Sequence, residues 1–204
     1  MGKEVKYNWK LLPEAEEEIM SLINFHHADR SGQLNLLSIL EQEFRPHREI
    51  VILCIGTDRS AGDSMGPLVG TMLSELYNGA IVYGTLENPV HAKNLEEVYQ
   101  DVCRQHPDAY VLAIDACLGS VRSIGSISFR KEPLRPGLAV KKELISVGHG
   151  SLIGVVNIGG FMEYLTLQNT RLDTTYRLAK VISGTVAQAL ISRVSFQSVS
   201  ATYV

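Results

Sequence analysis

The sequence predicts an α/β fold built on a parallel sheet, and three features predict it. Two apolar runs, IVILCIG (50–56) and AYVLAID (109–115), lack polar alternation, which suits strands covered on both faces. Helical patterns lie between the strand candidates, and a strand–helix–strand–helix–strand order implies right-handed crossovers. Of the 17 glycines, 14 fall between Gly56 and Gly160, which puts turns and a site in the middle and helices at the flanks.

Residues 1–48 read as an N-terminal helical segment packed on the core, and 49–204 as one globular α/β domain. Pro13 with Glu14, Glu16, Glu17 and Glu18 resembles a helix opening, with proline and carboxylates in the first turn. Ile19, Leu22 and Ile23, then Leu34, Leu37 and Leu40, recur at helical spacing, giving two helices with a break near Ser31-Gly32. After the 50–56 strand, Gly66-Pro67 opens a helix whose apolar face carries Leu68, Met72, Leu73 and Leu76, and Gly79 closes it. AIVYG (80–84) is the second strand, Asn94–Gln105 the next helix and AYVLAID the third strand. SIGSISF (123–129) and ELISVG (143–148) are weaker strands, and 174–193 is a closing helix.

Composition removes several classes. Nineteen basic and 22 acidic side chains give a net charge of −3, without the basic excess of a nucleic-acid protein. Cys54, Cys103 and Cys117 form no CxxC pair, which argues against a disulfide framework and a structural zinc site. The start has no apolar h-region, so a cytoplasmic protein is expected. Residues 144–162 lack charged side chains, yet five glycines with His149 and Asn157 make a poor spanning helix; they read as buried strand and loop.

Two carboxylates stand where strands are expected to end. Asp115 closes the third strand, and Asp63 lies in the turn GTDRSAGDSMGP (56–67) after the first. In doubly wound sheets these strands are neighbours where the order reverses, and the crevice above their carboxyl ends binds ligands. Two carboxylates meeting there share a proton and act as acid and base. Singly, each also fits a bland role, Asp63 near a helix N-terminus and Asp115 on local amides. The turn lacks G-x-x-x-x-G-K-[ST] and G-x-G-x-x-G, and Asp58 and Asp63 would repel a phosphate. His149, between Gly148 and Gly150, is placed beyond a strand and so at the same crevice; with Asp63 and Asp115 it makes an O,O,N set suited to a divalent metal. Its bland reading is a hydrogen-bonded structural histidine. Adjacent His26 and His27 read as surface residues, and Cys117 as packing before nucleophile. Six bases between Arg122 and Lys142 read first as a solvated surface and second as a basic rim.

The pairing of IGTDRSAGDSMGP with AIDACLG resembles the superfamily of spore germination proteases and hydrogenase maturation endopeptidases. With the acidic N-terminal segment and TLENPVHAKNL, the chain is most similar to the YyaC group of sporulation proteins. The resemblance implies a three-layer α/β/α fold around a twisted, mainly parallel sheet, phosphorylase/hydrolase-like and of the hydrogenase maturation endopeptidase type. It also implies an aspartate-dependent endopeptidase of sporulating bacteria. It would act in the cytoplasm of mother cell or forespore on a protein substrate such as a spore protein, with Asp63, Asp115 and His149 catalytic. Gly56, Asp58, Gly62, Glu87 and Gly148 are the candidate substrate-binding positions. No cofactor, nucleic acid or membrane is expected, and self-association is left open. The alternatives are a metal-dependent maturation endopeptidase, with Asp63, Asp115 and His149 as the ligands of a divalent ion, and a non-catalytic binding relative. The hydrogenase group has glutamate where Asp63 stands.

Overall fold

The computed structural model describes residues 22–136, 145–160 and 162–201. Its sheet has six strands: β1 (Ile23–His26), β2 (Ile50–Cys54), β3 (Ile81–Tyr83), β4 (Tyr110–Gly119), β5 (Ser126–Arg130) and β6 (Gly150–Ile158). Their order is β1-β5-β6-β4-β2-β3. β6, β4, β2 and β3 run parallel, and β5 and β1 complete one edge antiparallel. The helices are α1 (Arg30–Phe44), α2 (Met65–Leu76), α3 (Leu95–Gln105), α4 (Glu163–Gln168) and α5 (Leu172–Ala201).

Side chains alternate across the pleat and so divide the core in two. Ile50, Ile52, Cys54, Tyr110, Leu112 and Ile114 pack against apolar residues of α1, α2 and α5. Val51, Leu53, Val111 and Ala113 face the other way, onto Leu95 and Val102 of α3. The sheet is therefore covered on both faces, and the three-layer α/β/α expectation holds. α3 carries Glu96 and Glu97 in its first turn and Arg104 in its last, each the sign its end favours. Leu112 is fully buried in the central strand. Leu112→Ala is expected to cost about 2–5 kcal/mol in urea denaturation; a loss below about 1 kcal/mol would show that this layer is loosely packed.

Several local expectations change. Residues 23–26 are strand, not helix, because they pair antiparallel with β5 from Ile23↔Phe129 to His26↔Ser126. The helix does not break at Ser31-Gly32. Asp29 caps it, its side chain accepting from the Ser31 amide, and α1 runs on through Gly32. A Cβ on Gly32 would lie 2.3 Å from the Phe25 ring, so this glycine lets β1 lie against the helix. The expected helix over 13–19 falls outside the described residues. β4 does not stop at Asp115 but continues to Gly119. In ELISVG only an isolated bridge, Val147 to Leu134, is present among the described residues, and the neighbouring strand is β6. α4 is an additional helix outside the predicted elements, and α5 extends past both ends of the expected 174–193. No helix among the described residues is long and apolar enough to cross a membrane, and the 144–162 stretch holds β6.

Candidate active site

β3 and β4 lie on opposite sides of β2, so the chain reverses its direction of travel across the sheet between β2 and β4. The crevice beyond their carboxyl ends is where ligands bind in such sheets. The last rung there is the Ile55 amide donating to the Ile114 carbonyl at 2.7 Å. β2 then gives way to the turn 56–64. Gly56 has φ +144°, and a Cβ on it would lie 2.0 Å from the Asp63 carbonyl oxygen. The Gly56 amide donates to the Val90 carbonyl (2.8 Å), the Thr57 amide to the Asp63 carbonyl (3.1 Å), and the Gly62 amide to the Leu167 carbonyl (2.9 Å). The turn is thus folded onto itself, onto the 84–94 loop and onto α4, which fixes Asp63 above the end of β2.

Asp115 occupies the first position of β4 that has no β2 partner, since the β2–β4 pairing ends at Cys54↔Ile114. It continues the Val111–Ala113 face, and its Oδ1 accepts from the Ala116 amide at 2.8 Å. Both aspartates keep partial solvent access. Burial pushes the Asp115 carboxyl well above the usual carboxylate range, and the charge of Asp63 pushes it further, against the Ala116 hydrogen bond. Burial also raises Asp63, opposed by the Thr57 backbone bond and by His91. The structure therefore brings the two predicted carboxylates within electrostatic reach and drives their affinities for a proton upward.

His149 does not join them. The Val111 amide donates to its Nδ1 (2.9 Å), its own amide donates to the Val111 carbonyl (2.7 Å), and its ring stacks on Tyr110 at 5.6 Å. Because Gly150 pairs with Leu112 and Ile153 with Asp115, His149 lies four residues back along the sheet, ~13 Å at the rise of a strand. It precedes β6 instead of following a strand, and parallel strands present the start of one beside the start of the next. Gly148 shares that far rim, with φ +84° and its amide donating to Tyr99 Oη. An Asp63–Asp115–His149 metal set is thus not assembled, and among the described residues no three His, Cys, Asp or Glu side chains gather as a metal-holding group. The residues present do not fit the divalent-ion alternative. Nor can His149 serve Cys117, which lies on the Asp115 side.

The histidine near the pair is His91, whose charge bears on Asp63. Its amide donates to Asn94 Oδ1 (2.8 Å) and its carbonyl accepts from the Asn94 and Leu95 amides. The Lys93 amide donates to Nδ1 at 3.4 Å, a bond that assigns the ring proton of the neutral form to Nε2. His91 lies in TLENPVHAKNL, and its one local signal was the Asn three residues on, at the start of a helix. Of the other candidates, Gly56 and Gly62 shape the turn, Asp58 is exposed beside Thr57, and Glu87 is exposed in the 84–90 loop. In the basic stretch Lys131 pairs with Glu43, while Arg122 and Arg135 are exposed. Lys141 and Lys142 lie outside the described residues.

Known proteins similar to this chain place it further. It is 44% identical over 160 residues to the uncharacterized protein YyaC of Bacillus subtilis (strain 168), covering 77% of this chain and 78% of that protein. Among solved structures it is similar to the [NiFe] hydrogenase maturation protease HycI of Thermococcus kodakarensis KOD1, at 17% identity and a TM-score of 0.43, covering 72% of this chain and 98% of that one. Residues 24–185 match the family described as protein of unknown function (DUF1256), and the chain belongs to that family.

Proposed function

We propose that the chain is a hydrolase that cleaves a peptide bond of a protein substrate, with Asp63 and Asp115 sharing one proton. The observation that carries this is the partly buried, mutually repelling carboxylate pair at the carboxyl ends of β2 and β4. A pair that cannot ionise together holds one acid and one base in the same pH range. Asp63, held toward its ionised form by Thr57 and His91, is the base. Asp115, the more strongly raised, is the acid; its Oδ1 accepts from Ala116, which leaves Oδ2 to carry the proton.

In the reaction Asp63 takes a proton from water as the water oxygen bonds to the carbonyl carbon. Asp115 then gives its proton to the amide nitrogen as the C–N bond breaks. The pair ends with its proton moved from Asp115 to Asp63, and exchange with water restores the starting state. Such positioned proton transfers supply about 10²–10⁴-fold. The choice of a peptide bond, a sporulating cell and an aspartic-type germination-protease-like activity is supported by the resemblance of the 55–67 turn and the AIDACLG strand to the spore germination and hydrogenase maturation endopeptidases. Incubating wild type, Asp63→Asn and Asp115→Asn with candidate spore proteins tests it; equal cleavage by all three rejects it.

The two histidines separate in the same assay. Removing the charge beside Asp63 raises its proton affinity, so His91→Gln is expected to move the acidic limb of the pH–rate profile to higher pH. His149→Ala is expected to leave turnover within about twofold, because a group ~13 Å off makes no contact with the reacting atoms. A His149→Ala enzyme that loses turnover while keeping its denaturation midpoint would place the chemistry elsewhere.

A further inference from the structure

β4 outruns its neighbour. β2 pairs with it only to Ile114, whereas β6 follows it to Gly119. The direction of the remaining main-chain groups follows from two bonds. Ile114 accepts from Ile55 on the β2 side, and Gly119 accepts from Gly159 at 2.8 Å on the β6 side. Successive residues alternate, so Ala116 and Leu118 direct their amide and carbonyl groups toward the side that β2 has vacated. Among the described residues no strand pairs there. The Ala116 amide is taken by the Asp115 side chain, a substitute for the missing rung. Among the described residues the Ala116 carbonyl and both main-chain groups of Leu118 have no main-chain partner on that side and form a short open edge. Both residues keep partial solvent access, and the edge begins one residue past Asp115. Past its far end Val121 (68% exposed) is a bare apolar side chain, and Ile158 (46% exposed) is another, across β4 on the β6 side.

We infer that this edge is a strand-addition site, on which an extended polypeptide segment continues the line of β2 and so passes its main chain beside Asp63 and Asp115. An unpaired edge is a template for another chain, and strand addition takes its affinity from main-chain bonds and its selectivity from alternate side chains. A segment bound in this way must be unfolded over a few residues, which makes the preferred substrate class a disordered terminus or linker with apolar residues at alternate positions. The binding step stands on the edge alone; only its consequence, cleavage, rests on the hydrolase reading.

A randomised library of unstructured peptides, measured for both binding and cleavage by the full chain, tests this. The best binder is then resynthesised with single N-methylated amides. Losing one main-chain hydrogen bond is worth about tenfold in affinity, so methylation is expected to weaken binding by that factor at alternate residues and spare those between. Leu118→Pro removes the donor on the protein side and is expected to weaken binding about tenfold; because Leu118 also packs against the core, the methylated peptides give the decisive reading on unaltered protein. Alternate sensitivity without cleavage keeps the edge and removes the hydrolase. Cleavage that tolerates methylation everywhere except the scissile bond keeps the hydrolase and overturns the edge. A library neither bound nor cut overturns both.

Discussion

Asp115→Asn is expected to lower hydrolysis by about 10²–10⁴-fold and at the same time to raise stability at neutral pH. The first effect follows from losing the proton donor. The second follows from linkage: burial and Asp63 hold the folded-state value of Asp115 well above its unfolded one. The favourable contribution of such a group is fully present below the ordinary aspartate value, ~3.9, and is lost as pH rises through the raised value. At neutral pH the wild type therefore carries a cost that asparagine, uncharged and still able to accept from Ala116, does not. Each 1 kcal/mol regained moves Tm by about 2–4 °C in a chain of this size. Thermal unfolding of both proteins across pH checks it: the advantage of the variant should shrink as the solution is acidified toward pH ~4. An advantage independent of pH, or unimpaired turnover, would remove Asp115 from the proton-sharing pair.

Gly66→Ala is the second substitution with a large expected effect. A Cβ there would lie 2.0 Å from the Ile55 carbonyl oxygen, and main chain cannot swing aside as a flexible side chain does. α2 would have to lift from the end of β2, taking with it the turn that holds Asp63. The expected loss is about 3 kcal/mol or more, at the upper end of overpacking costs. Turnover should also fall by about 10²-fold, the effect of a 1 Å misplacement of a reacting group. Gly184→Ala is the matched control. Nothing lies within 4 Å of its Cβ position in α5, and removing a helical glycine there is expected to stabilise by about 0.5–1 kcal/mol. Chemical denaturation distinguishes the two, and a Gly66→Ala protein as stable as wild type would show that helix and strand are not in contact.

The parts legible in the sequence were those written in local pattern. Uninterrupted apolar runs marked β2 and β4, and the glycines of 56–66 marked a turn where main chains touch, so Asp63 and Asp115 were found together. The misread parts depend on partners far along the chain. Residues 23–26 repeat at helical spacing with their neighbours, yet they are strand because β5 offers an edge. Asp115 reads as a strand terminator because a carboxylate inside a buried strand is costly. It is tolerated because β2 has already ended and left it a crevice. The rim that His149 occupies depends on where one strand begins: a strand over 143–148 would place the imidazole after it, whereas β6 starts at Gly150 and leaves it before. His91 had no periodic signal at all. Its position depends on how the 84–94 loop crosses the end of β2, through the Ile55–Val90 bridge.

The pairing of Ile23 with Phe129 has a consequence for how the molecule is made. Those partners are more than a hundred residues apart, so on the ribosome β1 emerges long before the strand that will receive it. Closing so large a loop is entropically slow, and β5 offers an open flank to neighbouring nascent chains until β1 docks on it. Sheet closure should thus be a late event in biogenesis, and shortening the chain past residue 26 should produce clumping rather than a smaller soluble core.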